Sequence, residues 1–217
     1  MDFKPGTKVF KVPDSMSNDT AVFVELMACA VGSVEKVTGV TNLTRISNVL
    51  VIGAGPAGIC NYIAAEFYGM NVYLADVQEA ALELAHKAGI NKTFLIKDSN
   101  LTKEFDVVID CAGTAGSFQT ACEVVSLGGI VIEFGAFTVG TPIKDYPFWI
   151  ICQKDITIRG LAETLDQNFP LALRILNETQ YDVQQLLTRR YQLDDCEGII
   201  EYLSKPVIGK GVVISQG

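Results

Sequence analysis

The chain has 217 residues, 49% hydrophobic and 19% charged, with a formal charge of −8. That composition supplies a substantial buried core and excludes disorder, while the acidic balance opposes binding to nucleic acid or to an anionic membrane surface. No apolar run approaches the roughly 20 residues needed to span a bilayer, and the opening MDFKPGTKVF lacks the apolar core of a secretory signal, so a soluble cytoplasmic protein is expected.

In chain order, Thr7 to Val12 predicts a short strand, Pro13-Asp14 a turn, and Ser17 to Val37 a helix capped by Ser17 or Asn18. The next stretch, VLVIGAGPAG from Val49 to Gly58, is an apolar run ending in three glycines and followed at once by a plausible helix, ICNYIAA. A strand, a tight glycine turn and a helix in that order form the phosphate-binding corner of a dinucleotide fold. Gly53 permits the turn, Gly55 admits a pyrophosphate to the backbone, and Gly58 lets the helix approach the sheet. Pro56 suits the first helical turn, where its missing N–H has no carbonyl to serve. From Ala57 onward the free amides and the positive end of the helix dipole favour a diphosphate.

Asn71 to Ala75 reads as a second strand ending in Asp76, close to the spacing of about 20 residues expected for a ribose-binding acid. A carboxylate there accepts from both ribose hydroxyls and repels a 2′-phosphate, and Val77 and Gln78 offer no cation to hold one, so NAD is expected over NADP. The competing reading makes Asp76 merely the cap of a helix from Glu79 to Ala88. Strands follow at Thr93 to Ile96, Phe105 to Asp110 and Gly129 to Phe134, with a helix from Phe118 to Val125, and Asp155 to Arg159 is the sixth strand. Such β-branched runs separated by helices imply a parallel sheet covered on both faces, and the alternation in DITIR suits its edge. Helices around Phe169 to Leu176 and Cys196 to Leu203 and a strand at Gly211 to Ile214 close the chain.

The fold expected is therefore α/β, a Rossmann doubly wound six-stranded parallel sheet at residues 48–160, flanked by residues 1–47 and 161–217. The flanks are too small for cores of their own and must pack on the sheet, on each other or on something else. Cys29, Cys60, Cys111, Cys122, Cys152 and Cys196 are scattered, at least eleven positions apart, and read as reduced core residues rather than a zinc site. His86, the only histidine, reads as a solvated or helix-packing residue rather than a catalytic base.

Several separate stretches resemble the medium-chain, zinc-type alcohol and polyol dehydrogenases in the same order: VFKVPDSMSNDTAVFVELMACAVGSV, VLVIGAGPAG, FDVVIDCAG, SLGGIVIEFG, KDITIRG and YQLDDCEGIIEYLSKPVIGKGVVI. The resemblance implies an NAD-binding part whose pyrophosphate turn is Gly53, Gly55, Pro56, Ala57 and Gly58, with Asp76 and Val77 at the ribose. It places Cys111, Ala112 and Gly113 at the strand end beneath that ribose. The Phe134 and Ile156 carbonyls with the Ile158 N–H would hold the nicotinamide carboxamide, and Gly135 beside Phe134 joins the cofactor-binding set. It begins late in the family's pattern. The Cys/His/Glu zinc site and proton relay of a preceding domain have no counterpart here, so neither catalytic nor metal-binding residues are assigned and the chain alone is expected to turn over alcohols poorly. Glu25 resembles a glutamate that polyol and threonine dehydrogenases place near zinc, but reads more simply as a helix carboxylate. The resemblance further implies a small alcohol or polyol substrate for the complete enzyme and a homodimer through the edge strand. Two other readings fit parts of the pattern: a non-enzymatic NAD(H)-sensing module, and a flavoprotein, since GAGPAG also resembles FAD-binding turns.

Overall fold

The computed structural model describes residues 6–38, 48–96, 104–135, 148–161, 165–192, 194–204 and 208–214. A short helix α1 (Asn18–Ala21) and a longer α2 (Val24–Thr38) precede an alternating unit: β1 (Asn48–Ile52), α3 (Pro56–Phe67), β2 (Asn71–Asp76), α4 (Glu79–Lys87), β3 (Thr93–Leu95), β4 (Phe105–Asp110), α5 (Ala115–Val124), β5 (Val125–Glu133), α6 (Trp149–Gln153) and β6 (Thr157–Gly160). Then come α7 (Phe169–Glu178), β7 (Leu187–Gln192), α8 (Cys196–Leu203) and β8 (Lys210–Ile214). The first six strands form one parallel sheet in the order β3-β2-β1-β4-β5-β6, so the winding reverses between β1 and β4. Ligands of open α/β sheets bind outside the carboxyl ends of the strands at such a reversal.

Period-two alternation distributes the strands between two cores. Val49, Val51, Leu74, Ile109, Ile130 and Ile132 point to the face covered by α2, α3 and α7, together with Phe23, Met27 and Ile175. Leu50, Ile52, Val108 and Val131 point to the other face, against Phe118, Ala121 and Cys122 of α5 and Ile150 of α6. Each fully buried aliphatic side chain contributes about 1.5–3 kcal/mol to burial. Residues of both flanks share the first core with the sheet. Ser33 of α2 donates to Asn61 of α3, and Asn61 Nδ2 donates to the Ala57 carbonyl at 2.9 Å, fixing α3 beside its neighbour. No helix among the described residues is long and apolar enough to cross a membrane.

The structure corrects several expectations. Thr7 to Val12 is no strand: among the described residues it pairs with none, and Phe10 anchors it, stacked on Phe169 at 5.1 Å between ring centroids. The helix expected from Ser17 to Val37 breaks at Val22 and Phe23, because nothing in α1 is buried whereas Phe23 enters the core completely. Ser17 is the cap, its hydroxyl accepting from the Thr20 N–H at 3.1 Å. Helix α5 starts three residues early, at a reciprocal cap in which Thr114 Oγ1 accepts from the Ser117 N–H and Ser117 Oγ accepts from the Thr114 N–H, both at 3.0 Å. Strand β7, which pairs in parallel with β8, was not foreseen. Cys60 and Cys122 are buried, but Cys29 and Cys111 only partly, and Cys152 is exposed on the side of α6 away from Ile150.

Candidate functional site

Strand β1 delivers the chain to the carboxyl end of the sheet, where Gly53 takes a φ of 101° that side chains rarely adopt. Its N–H donates to the Ala75 carbonyl at 2.7 Å, and the Cys111 N–H donates to the Ile52 carbonyl at 2.8 Å, so the turn is anchored between β2 and β4. Gly55 then caps α3 with no side-chain acceptor for the first-turn amides, and Pro56 opens the helix. An added Cβ at Gly58 would lie 1.7 Å from the Gly53 carbonyl oxygen, so helix and turn touch through backbone alone. A Cβ at Gly55 would meet nothing within 4 Å, which leaves open space in front of the α3 amides.

Asp76, 9% exposed at the end of β2, binds this turn directly. Its Oδ2 accepts from the Ala54 N–H and its Oδ1 from the Gln78 N–H, each at 2.7 Å. The cap of α4 is Gln78, so Asp76 does not cap that helix. A carboxylate offers about four lone-pair sites, and two remain for hydroxyl donors. A crevice of about 450 Å³ opens here, lined by Gly53, Gly55, Asp76, Val77, Cys111 and Ala112 among the predicted residues. None of its described lining residues is a lysine or arginine.

The remaining predicted residues divide. Pro56, Ala57 and Gly58 form the first turn of α3, and Gly113 continues the loop after β4 with a φ of 63°. Phe134 and Gly135 leave the carboxyl end of β5, their N–H groups both donating to the Asp110 carbonyl at 2.9 and 2.8 Å. Ile156 is misplaced: it precedes β6 at the opposite end of the sheet, buried against the α5 side, with its N–H donating to Ile151. Ile158 lies within β6 level with Val131, short of the carboxyl end. The residue at that end is Leu161, whose N–H donates to the Glu133 carbonyl at 3.0 Å. Alternation identified the strand but could not fix its depth in the sheet.

Sequence reasoning also missed Thr114, Ser117, Ile208 and Gly209, all of which line the crevice. The T-x-x-S spacing was a usable cap signal for the first two. Nothing local connects residues 208–209 to a turn some 150 positions earlier. Beside them, Lys210 lies 5.9 Å from the Phe23 ring centroid.

At the carboxyl ends of β4 and β5, Asp110 and Glu133 are register partners. Burial raises the Asp110 carboxyl against the opposing donors Ser117, Ala112 and Gly113, while burial and then the Asp110 charge push Glu133 up to about 8. Burial, reinforced by both carboxylates, holds the Cys111 thiol well above its ordinary range, and Cys60 rises to about 12 through burial. Neither thiol is inclined to the thiolate form that metals bind. His86 sits on α4 with Nε2 2.8 Å from Thr93 Oγ1, and Glu25 is exposed on α2, its Oε1 accepting from Cys29 Sγ at 3.3 Å. Among the described residues no three His, Cys, Asp or Glu side chains converge to hold a metal ion, so these residues do not fit a zinc site.

Residues 56–178, more than half of the chain, match the family model described as zinc-binding dehydrogenase. The chain is 28% identical to the L-threonine 3-dehydrogenase of Escherichia coli, covering 96% of this chain and 62% of that protein. It is 25% identical to the D-xylulose reductase A of Aspergillus niger, covering 94% and 58%. The solved alcohol dehydrogenase TADH from Thermus sp. ATN1 shares the fold with a TM-score of 0.78 at 21% identity, over 95% of this chain and 61% of that one. The chain thus spans less than two thirds of the length of these relatives. With its three-glycine turn, its doubly wound sheet and a match across more than half its length, the chain belongs to the zinc-binding dehydrogenase family.

Proposed function

We propose that the crevice binds NAD and that residues 48–160 are the NAD-binding unit of an alcohol or polyol dehydrogenase, with residues 1–47 and 161–217 as packing flanks. The observation that carries this reading is Asp76: a carboxylate at the end of β2, braced by two backbone amides, on a crevice whose described lining holds no cation for a 2′-phosphate. The α3 amides behind Gly55 suit the bridging phosphates, and the two free lone-pair sites of Asp76 suit the adenosine ribose. The other half of a dinucleotide then lies over β4, β5 and β6, where Ala112, Phe134 and Leu161 end their strands. Bound NAD supplies a hydride acceptor; the chain's part is to hold and orient it. The described residues do not fit zinc, so no step of alcohol activation is derived from them.

Calorimetric titration with NAD, NADP and FAD tests the reading, with NAD expected to bind tightest. Replacing Asp76 by Ser together with Val77→Arg removes the repulsion and adds a phosphate partner, so preference moves toward NADP. Unchanged selectivity in that double variant refutes the ribose assignment, and tight FAD binding refutes the cofactor. Among the described residues β6 is an edge strand with no neighbour on its outer side, and Ile158 is 38% exposed, which supports a homodimer formed by strand pairing.

A further inference from the structure

Asp110 and Glu133 stand side by side at the carboxyl ends of β4 and β5, both on the face covered by α5, and Asp110 immediately precedes Cys111 and Ala112, which line the crevice. Asp110 is fully buried, and its charged form is served: Oδ2 accepts from Ser117 Oγ at 2.7 Å and Oδ1 from the Ala112 N–H at 2.9 Å. Glu133 is different. Both its carboxylate oxygens are buried without a well-formed hydrogen bond, and the nearby Gly135 N–H only weakly opposes the burial that disfavours its charge. Ionised, it would be a second uncompensated charge against the first; neutral, it carries an O–H whose acceptor is Asp110.

The surrounding described groups do not supply a counter-charge. Strand β6 brings Arg159, but Arg159 is level with Ile132, hence on the opposite face, where its guanidinium donates to the Lys36 carbonyl of α2. From α5 the facing group is the Ser117 hydroxyl, while α6 carries no charged residue. Lys154 lies at the amino end of the sheet, donating to the Glu123 and Val125 carbonyls. The Cys111 thiol beside the pair is neutral.

We propose that Asp110 and Glu133 share one proton beneath the carboxyl ends of β4 and β5, where the proposed reading puts the nicotinamide half of the cofactor, and that releasing it to solvent biases the site toward the oxidised cofactor. This rests on the dinucleotide reading above. The oxidised nicotinamide ring is cationic and the reduced ring neutral, so a second buried anion strengthens binding of the first and leaves the second nearly unchanged. Burial and the Asp110 charge put the release at about pH 8. At an effective dielectric of about 20, a unit charge within about 12 Å of a cation changes its binding constant about tenfold or more.

The experiment measures Kd for NAD+ and for NADH from pH 6.5 to 9 on the full chain and on Glu133→Gln. Both forms share adenosine, ribose and phosphates, so their ratio cancels titrations elsewhere. Preference for NAD+ should rise about tenfold across this range in the wild type and stay flat in the amide variant. A flat wild-type ratio, or a variant that follows the wild-type slope, overturns the proposal. Should Glu133→Gln fold poorly, Glu133→Leu is the second variant, again expected to be flat. The proton has its own readout: an infrared carboxylic-acid band at pH 6.5, lost in either variant. Absence of that band overturns the shared proton; if it is present but neither cofactor form binds, the dinucleotide reading falls, and the redox bias with it.

Discussion

Replacing Gly58 by Ala tests the contact on which the glycine turn depends. The new Cβ would lie 1.7 Å from the Gly53 oxygen and 2.9 Å from the Gly53 carbonyl carbon. A tolerable carbon–oxygen approach is about 3.3 Å, so helix α3 must retreat by about 1.6 Å. The turn cannot give way instead, since the Gly53 N–H is bonded to Ala75 at 2.7 Å and its φ of 101° is set by that course. Overpacking costs about 1–3 kcal/mol and more where backbone must move, and the better helix propensity of Ala returns up to about 1 kcal/mol. A net loss of about 2 kcal/mol lowers Tm by roughly 4–8 °C in a chain of this size. Gly55→Ala is the control: its Cβ meets nothing, so stability should match wild type while cofactor affinity drops at least tenfold. Urea unfolding and calorimetric titration of both variants decide the matter. A Gly58→Ala protein as stable as wild type, or a Gly55→Ala protein that loses stability equally, would refute the assignment of packing to one glycine and ligand access to the other.

Glu133 is raised in the folded chain from 4.5 to about 8, so its contribution is complete below about pH 4.5 and is lost as pH rises through 8. Urea midpoints should therefore fall from pH 5 to 8.5 in the wild type and fall less in Glu133→Gln; parallel curves count against the buried acid. The Tyr181 hydroxyl donates to Glu66 at 2.6 Å, joining the segment after α7 to α3, so Tyr181→Phe should cost about 1–2 kcal/mol in unfolding free energy. A loss below about 0.3 kcal/mol means that water replaces the bond freely. Sedimentation at micromolar concentration should show a dimer; a monomer removes the case for β6 pairing.

The sheet was readable because its strands announce themselves twice, by β-branched runs such as VVID and by the turn residues between them. Pro13-Asp14 was readable too, and the Met16 N–H closes that turn on the Pro13 carbonyl. What failed was information that only a partner strand or a third dimension supplies. Thr7 to Val12 has strand composition but pairs with no strand among the described residues, and the charged LTRRYQ becomes a strand because β8 lies beside it. The difference between Ile156 and Leu161 is one of depth along β6, and only the pairing of β6 with β5 fixes which residue reaches the carboxyl end. The acid pair was hidden for the same reason: twenty-three positions separate Asp110 from Glu133, and only the β4–β5 register joins them.

Ile208 and Gly209 wall a crevice whose floor is laid down at Gly53. During synthesis, a ribosome that has released the glycine turn and Asp76 has made a half-built cleft, and its last side arrives some 130 residues later. The crevice is therefore complete only once residues 208–209 have docked, and cleavage of the chain ahead of them should reopen it without unravelling the strands beneath.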